Sequence, residues 1–451
     1  MKKRRLIQFL AVLYALTLPL LSLAQDRPYP AQYGKPFKGV PERTDVILYQ
    51  VNTRAFSEGG NFAGVTARLD EIKDLGVNVI YLMPIYPVGK LKGANSPYAT
   101  MNYDEVGKEF GTLDDLRNLV DGAHKRNIAV MLDIVANHTS WDHPWIEKPG
   151  YYLRDSTGNI KYPETWRDVA QLDFRSQELR QSLIHSMKSW VYKANIDGFR
   201  CDYADGPPLD FWKQVNDSLK TIKTHKLLML AEGSSPKYLS AGFDYFFGFN
   251  YFGNLKGIFA KNKSVKSIDG LNERDYKGAQ QGQAVVRYLT NHDVNGSDGT
   301  PLDLFGGKRG SMAAFVVTAY MKGIPMIYNG QEIGTPFRLT FPFTGRRIDW
   351  SLEKANKDVL ADYKKVVSFW NKSKTVRTGA LASYSSDDVC VFTKTLNGQS
   401  VLVVSNLRNK PLEYSLPVSI TGNWKDAFSG SKTNLTESLK LEPYQYIVLQ
   451  K

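Results

Sequence analysis

Strand-like and helix-like segments alternate from residue 46 to residue 328 of this 451-residue chain. Eight short runs rich in β-branched and aromatic residues have the length of buried strands, and they cover residues 46–51, 77–83, 128–135, 196–202, 227–232, 243–249, 285–291 and 324–328. Strands that alternate with helices build parallel sheets, and eight such units close into a barrel. The sequence therefore predicts the α/β class and a (β/α)8 TIM barrel.

Several of the segments between these strand-like runs show the periodicity of apolar residues that is typical of helices. The predicted helices cover residues 64–75, 112–126, 176–194, 209–224 and 308–321. Thr112 is the expected N-cap of the second helix, and Asp114 and Asp115 fall in its first turn, where negative charge favours a helix. These helices are expected to pack outside the barrel.

Two segments break the alternation. Residues 138–172, after the third strand, are rich in Trp, Pro and Gly and predict a short inserted domain. From about residue 375, alternating runs at 389–393, 400–405 and 444–449, with turns at 397–398 and 421–423, predict an antiparallel β-sandwich domain. We therefore predict a barrel of residues 25–137 and 173–374, an insertion at 138–172 and a C-terminal β-domain at 375–451.

The N-terminal residues have the pattern of a cleavable signal peptide. Four basic residues at positions 2–5 precede an apolar run at 6–21, and Ser22-Leu23-Ala24 offers small residues for cleavage. We predict a signal peptide of residues 1–24 and a periplasmic or secreted protein without a membrane anchor after cleavage. An uncleaved anchor is the alternative.

The net charge and the cysteine content limit which ligands and partners we expect for this protein. The formal net charge is +13, and the first 24 residues supply four of the positive charges, which leaves about +9 (13 minus 4). No dense block of Lys and Arg occurs, so we expect no nucleic-acid partner. We also expect the protein to be a monomer. Cys201 and Cys390 are predicted to be buried free thiols, and no Cys/His spacing suggests zinc.

Three acidic residues follow predicted strands. Asp202 ends the fourth strand and Glu232 the fifth, and Asp293 follows the seventh. The ends of barrel strands converge on one mouth, so these acids are expected to meet. Arg200 precedes Asp202 by two residues and points to the same side of the strand. Cleavage of an acetal needs a proton donor and a second carboxylate, and these acids fall where a retaining glycosidase would need them.

Six short motifs resemble those of the alpha-amylase family, glycoside hydrolase family 13, and they occur in the family's order. They are Asp133 to His138, Gln171 to Phe174, Gly198 to Asp202, Ala231-Glu232, Thr290 to Asp293 and Gly323 to Glu332. The likeness covers nearly the whole mature chain. It implies a secreted bacterial-type alpha-amylase-like enzyme, with residues 138–172 as the family's domain B.

The resemblance implies a role for each site residue. Asp202 would be the nucleophile, Glu232 the general acid/base and Asp293 the group that stabilises the transition state. Substrate-binding roles are implied for Tyr98, His138, Arg200 and His292. We expect Arg200 to keep Asp202 ionised, and the negative charges of Asp202 and Asp293 to raise the pKa of Glu232. Asp133 would support the site from inside the barrel.

Structural interpretations remain open for these residues. Asp202 is also a possible helix N-cap, Glu232 a structural ion-pair partner, and Tyr98 a packing residue. The two motif histidines are also compatible with ordinary buried histidines. The insertion contains three tryptophans that either line the cleft or form the core of the insertion, and these are Trp141, Trp145 and Trp166.

The sequence departs from the family on the leaving-group side and at a calcium site. Asp205 and Gly206 stand where many amylases have Lys and His, and no Trp follows Glu232. Gln171 stands where the family has a calcium-binding Asp. Of the usual calcium ligands only Asn137 remains, so we expect no required cofactor, and Asn137 is the ligand if calcium is bound.

The function predicted from these features is hydrolysis of α-1,4-glucosidic bonds in starch, maltodextrins or related α-glucans through a covalent glycosyl-enzyme. An α-glucanotransferase or glucosyl isomerase would use the same three acids. A non-catalytic glycan-binding barrel is the third possibility, and the intact set of Asp202, Glu232 and Asp293 argues against it.

Overall fold

The computed structural model describes residues 28–451. The predicted signal peptide, residues 1–24, lies outside the described residues. Within residues 28–451, the model contains no helix with the length and apolar character needed to cross a bilayer.

A closed parallel barrel forms the body of the protein. The strands up to its closure are β1 (Leu48–Val51), β2 (Val79–Leu82), β3 (Ala129–Ile134), β4 (His138–Ser140), β5 (Val169–Gln171), β6 (Gly198–Cys201), β7 (Leu228–Ala231), β8 (Tyr245–Phe247), β9 (Ala284–Tyr288) and β10 (Ile324–Tyr328). All of them except β4 and β5 belong to the barrel, in the order β1-β2-β3-β6-β7-β8-β9-β10, and β10 closes onto β1. The predicted TIM barrel is confirmed. Its strands read as apolar runs because helices cover their outer face and side chains fill the inside.

Helices surround the barrel and connect its strands. They are α1 (Thr53–Phe56), α2 (Phe62–Thr66), α3 (Leu69–Leu75), α4 (Leu113–Lys125), α5 (Gln177–Ala194), α6 (Leu209–Leu219), α7 (Lys237–Ser240), α8 (Phe249–Lys261), α9 (Ser267–Arg274), α10 (His292–Ser297), α11 (Pro301–Leu304), α12 (Gly307–Tyr320), α13 (Leu352–Ala355), α14 (Lys357–Lys372) and α15 (Lys374–Thr378). Short 3-10 helices cover Arg43–Asp45, Pro144–Glu147, Gln331–Ile333 and Val418–Ile420.

Local capping explains where the predicted helices begin. Thr112 accepts a hydrogen bond from the Asp115 amide, and the Asp115 side chain accepts one from the Thr112 amide, which makes a capping box. The predicted helix at 64–75 is instead two helices, α2 and α3, and the predicted helix at 209–224 ends at Leu219.

The insertion after β3 is anchored to the barrel mouth by a small antiparallel sheet. Strand β4 pairs with β5, and His138 lies opposite Gln171. Because β4 begins four residues after β3 ends, the insertion leaves the barrel beside the ends of β3 and β6. It therefore stands next to Asp202.

The C-terminal region is antiparallel, as predicted. Its strands are β11 (Ala380–Ser383), β12 (Val389–Leu396), β13 (Gln399–Asn406), β14 (Leu412–Ser415), β15 (Gly422–Asp426), β16 (Lys432–Leu435), β17 (Ser438–Leu441) and β18 (Tyr446–Gln450). Six of them form a sheet in the order β11-β12-β13-β18-β15-β16, and β14 pairs with β17. Alternation along β12 sends Val391 into the core of this region and Phe392 into the core shared with the barrel. The predicted turn at 397–398 joins β12 to β13, whereas the predicted turn at 421–423 is wrong, because β15 begins at Gly422.

Cys201 and Cys390 are both buried and unpaired, as predicted. Cys201 is the last residue of β6, and Cys390 lies in β12.

Candidate active site

The three predicted acids lie beyond the carboxyl ends of barrel strands. Asp202 directly follows β6 and Glu232 directly follows β7. These strands pair in parallel with Cys201 opposite Ala231, so the next residue of each strand falls side by side at the mouth. Asp293 is the second residue of α10, and its side chain is 59% exposed. Asp202 and Glu232 are therefore recessed, and Asp293 faces the open cleft.

One buried guanidinium joins the acids at this mouth. Arg200 Nη1 donates to Asp202 Oδ1 over 2.7 Å and to Asp133 Oδ1 over 2.8 Å. Arg200 Nη2 forms an ion pair with Glu232 Oε1. The contact with Asp133 follows from the strand register, in which Asp133 lies opposite Arg200. The sequence predicted the contact with Asp202 but not the contact with Glu232.

Burial controls the protonation of the recessed acids. It raises the pKa of Glu232 to about 7, against the opposing charge of Arg200, and the charges of Asp202 and Asp293 add to the rise. The expected direction is correct, but the largest cause is burial, which the sequence reasoning left out. Burial also raises the pKa of Asp202, and the charge and hydrogen bond of Arg200 oppose this. The site therefore holds one carboxyl that is about half protonated at pH 7, beside a second whose anionic form Arg200 favours.

The two recessed acids share the guanidinium of Arg200. The Glu232 side chain also lowers the pKa of Asp202. The second oxygen of Glu232 accepts a hydrogen bond from the Tyr203 amide over 2.8 Å. The Glu232 carboxyl is therefore oriented from the strand that carries Asp202 as well as from its own strand.

His292 and Tyr98 form a second group beside Asp293. The Tyr98 hydroxyl lies 2.6 Å from His292 Nε2, and the two rings stack with centroids 5.3 Å apart. His292 Nε2 also lies 3.3 Å from Asp293 Oδ1. Gln50 Nε2 lies 2.7 Å from His292 Nδ1 and fixes the ring from inside the barrel. The sequence analysis missed Gln50, although a buried polar residue in the apolar strand β1 was a signal for it.

His138 stands on the opposite side, at the start of β4. Its ring lies edge-on to Trp166 with centroids 5.7 Å apart, and its Nδ1 lies 3.1 Å from Asn137 Nδ2. Burial lowers the pKa of His138 to about 4 and also lowers the pKa of His292. Both imidazoles are therefore neutral at pH 7 and suited to hydrogen bonding with hydroxyl groups.

The residues at the predicted calcium position do not fit a calcium ion. Gln171 Nε2 donates to the backbone oxygen of Asn137 over 3.1 Å and to Asn137 Oδ1 over 3.0 Å. Calcium takes six to eight oxygen ligands, whereas here an amide N–H occupies the oxygens of Asn137. A side chain at Gly206 would also meet Asn137 Oδ1, at 2.1 Å from an added Cβ. Among residues 28–451, no cluster of three or more His, Cys, Asp or Glu side chains is arranged to hold a metal.

The tryptophans of the insertion divide between core and cleft. Trp145 packs against Tyr103 and Tyr151, with ring centroids 5.2 and 5.5 Å away. Trp166 instead reaches the acids through His138 and through Tyr203, whose ring centroid is 4.9 Å from that of Trp166. Only Trp166 among these residues connects the insertion to the site.

A separate groove of about 860 Å³ lies on the C-terminal sheet. Three lysines, Lys425, Lys432 and Lys451, line it, and its walls contain no Asp, Glu or His side chain. It lacks the groups for acid–base chemistry, so the candidate active site is the mouth of the barrel.

Comparison with known proteins agrees with this geometry. The family model for the alpha amylase catalytic domain matches residues 33–168 and 162–388. Alpha-amylase 2 of Dictyoglomus thermophilum is 28% identical over 413 residues, which cover 85% of this chain and 69% of that protein. The crystal structure of an alpha-amylase from Lactobacillus plantarum superposes with a TM-score of 0.79 at 28% identity, covering 91% of this chain and 99% of the other.

A second solved structure is similar over the same extent. It is a noncanonic maltogenic alpha-amylase from Thermotoga neapolitana, with a TM-score of 0.77, 26% identity, and coverage of 90% of this chain and 99% of the other. The family model covers well over half of the chain, and the motifs at the barrel mouth had already indicated the same family. The chain therefore belongs to the alpha-amylase family, glycoside hydrolase family 13.

Proposed function

We propose that this protein hydrolyses α-1,4-glucosidic bonds of starch, maltodextrins or related α-glucans with retention of configuration. The observation that carries this proposal is that Asp202 and Glu232 both form ion pairs with the single buried guanidinium of Arg200. Retaining glycosidases hold their two carboxyl groups about 5–5.5 Å apart, and inverting enzymes hold them about 6.5–9.5 Å apart to admit a water. Two carboxyl groups that contact the same guanidinium lie close together, which favours the shorter separation of a retaining enzyme.

In the first step the two acids act on opposite sides of the scissile bond. The Asp202 carboxylate attacks the anomeric carbon, the bond from that carbon to the glycosidic oxygen breaks, and Glu232 gives its proton to the departing oxygen. The raised pKa of Glu232, about 7, keeps that proton available at neutral pH. Arg200 favours the ionised form of Asp202 through the 2.7 Å hydrogen bond, against the effect of burial.

In the second step water replaces the leaving sugar. Glu232, now a carboxylate, takes a proton from this water as the water oxygen attacks the anomeric carbon. The bond to Asp202 breaks, and both carboxyl groups return to their starting states. Asp293 has the exposure to contact sugar hydroxyls, and the neutral imidazoles of His138 and His292 stand on either side of the acids.

A product profile tests this function. Purified mature protein is incubated with maltoheptaose, soluble starch and pullulan, and the products are resolved over time. Hydrolysis predicts shorter maltooligosaccharides and one new reducing end for each bond cleaved. Products longer than the input would identify a glucanotransferase, and an unchanged profile on all three substrates would contradict the proposal.

We also propose that the mature enzyme is periplasmic or secreted. The support is the N-terminal sequence, in which a basic segment, an apolar segment and Ser22-Leu23-Ala24 occur in the order of a cleavable signal. Expression of the full chain followed by N-terminal sequencing of the exported protein tests this. A mature N-terminus at Gln25 is expected, and retention of Met1 in the membrane fraction would contradict it.

A further inference from the structure

Tyr203, the residue after Asp202, has an unusual backbone conformation. Its φ is +39°, in the left-handed region that costs a residue with a side chain about 1–2 kcal/mol. Such a conformation persists where the surroundings fix it, and it often marks a functional position. Here it directs the Tyr203 amide at Glu232 Oε2, at 2.8 Å, and sends the side chain toward the insertion.

The insertion holds the Tyr203 side chain at two points. The phenol donates a hydrogen bond to Glu164, and the ring lies edge-on to Trp166 with centroids 4.9 Å apart. Glu164 itself has a φ of +49°. The bond to Glu164 raises the pKa of Tyr203 to about 12, so the phenol keeps its proton as the donor at neutral pH. Tyr203 is thus clamped between the barrel and the insertion.

Trp166 and Tyr203 are partly exposed and together make an aromatic surface next to the acids. We call this pair the aromatic wall. The Trp166 ring contacts His138, and the backbone amide of Tyr203 donates a hydrogen bond to Glu232. Tyr98 and His292, in contrast, form their own stack beside Asp293. The wall therefore borders the site at the residue that follows Asp202 and contacts Glu232 through its backbone.

The loop after Glu232 is packed tightly at its first residue. Gly233 follows Glu232, and a Cβ on Gly233 would lie 2.1 Å from the Tyr238 ring, so no side chain fits there. Beyond it, Asp205 pairs with Lys237 at 2.7 Å and accepts a hydrogen bond from Tyr238. The Lys237 cation is thereby held near the end of β6 by the next loop of the barrel.

We infer that the aromatic wall of Tyr203 and Trp166 binds the sugar ring that departs with the glycosidic oxygen. Glu232 delivers its proton to that oxygen, so a ring bonded to the oxygen lies beside Glu232 and against the wall. Aromatic faces bind the apolar faces of pyranose rings by burial of C–H groups. This inference rests on the proposed function, and it assigns to the wall the specificity for a glucose unit on the leaving-group side.

Comparison of two substrates tests the wall. Maltotetraose places sugar on both sides of the cleaved bond, whereas α-maltosyl fluoride releases fluoride and places no sugar against the wall. The measured quantity is the ratio of kcat/KM for maltotetraose to kcat/KM for the fluoride. We expect Trp166→Ala to lower this ratio by about tenfold or more, which corresponds to the loss of one ring contact in the transition state.

Three further variants make the test specific. Trp166→Phe keeps a ring and should recover most of the ratio. Tyr203→Phe removes only the bond to Glu164 and should lower the ratio by a smaller factor, about threefold. The matched control is Tyr162→Ala, since Tyr162 is an aromatic residue of the same insertion that is 40% exposed and contacts only Arg167 among the aromatic and cationic pairs of the described residues. It should leave the ratio unchanged.

Two results would overturn the inference. One is an unchanged ratio in folded Trp166→Ala and Tyr203→Phe. The other is an equal loss on both substrates, which would mean that the wall only supports the fold. If the wild-type protein cleaves neither substrate, the proposed function itself fails, and this outcome differs from any change in the ratio.

Discussion

Proton delivery by Glu232 makes a quantitative prediction for the dependence of activity on pH. The perturbation is a rise from pH 6 to pH 8. With a pKa of about 7, Glu232 is protonated in about nine molecules of ten at pH 6 and in about one of ten at pH 8. Only the protonated form serves as the acid for glycosyl transfer, so kcat/KM for maltotetraose should fall about tenfold over this interval.

The assay compares two leaving groups. Initial rates on maltotetraose and on α-maltosyl fluoride are measured from pH 5 to pH 9 at constant ionic strength. Fluoride departs without a proton, so its kcat/KM should not show the fall near pH 7. Glu232→Gln should lose about a hundredfold or more on maltotetraose and much less on the fluoride. An equal fall on both substrates near pH 7, or a fall on maltotetraose centred below pH 5, would refute this reasoning.

Further predictions concern the nucleophile, a buried acid and the insertion. Asp202→Asn should lose more than about a thousandfold in kcat while its melting temperature stays near that of the wild type, and substantial residual turnover would exclude Asp202 as the nucleophile. Burial raises the pKa of Glu332 from 4.5 to about 7, although its Oε1 accepts a hydrogen bond from Tyr49. Protonated Glu332 therefore stabilises the folded state. This contribution is complete below pH 4.5 and is lost as the pH rises through 7. At about 1.4 kcal/mol per pH unit, Glu332→Gln should gain about 3 kcal/mol in free energy of unfolding relative to the wild type between pH 4.5 and pH 8, as measured by urea denaturation. A constant difference across this range would contradict a protonated Glu332. Exhaustive chelation should leave both activity and melting temperature unchanged, because Gln171 satisfies the oxygens of Asn137, and a loss that calcium reverses would contradict this assignment.

The sequence predicts the barrel well because its signals are local and repeated. Each buried strand is a short apolar run with a helix on either side, and the positions of Asp202 and Glu232 at strand ends follow directly. Strand register then brings the two acids together. Helix α8 was missed, since the segment that directly follows β8 is rich in aromatic residues.

Contacts between distant segments were beyond sequence reasoning. The ion pair of Arg200 with Glu232 depends on how closely β6 and β7 approach, and the dominant effect of burial on Glu232 depends on the packed surroundings. Nothing in the sequence around Tyr203 predicts its left-handed backbone conformation or its hydrogen bond to Glu164. Both features need the fold of the insertion, whose short strands are not specified by local pattern alone.

The most direct test of the account is to trap the covalent intermediate. The protein is treated with a 5-fluoro α-maltosyl fluoride, digested, and its peptides are analysed by mass spectrometry. We expect the added mass of one 5-fluoromaltosyl group on the peptide that contains Asp202, and no such mass in Asp202→Asn. A label on another carboxylate, or turnover with inversion of the anomeric centre and no label, would contradict the central claim that Asp202 is the nucleophile of a retaining hydrolase.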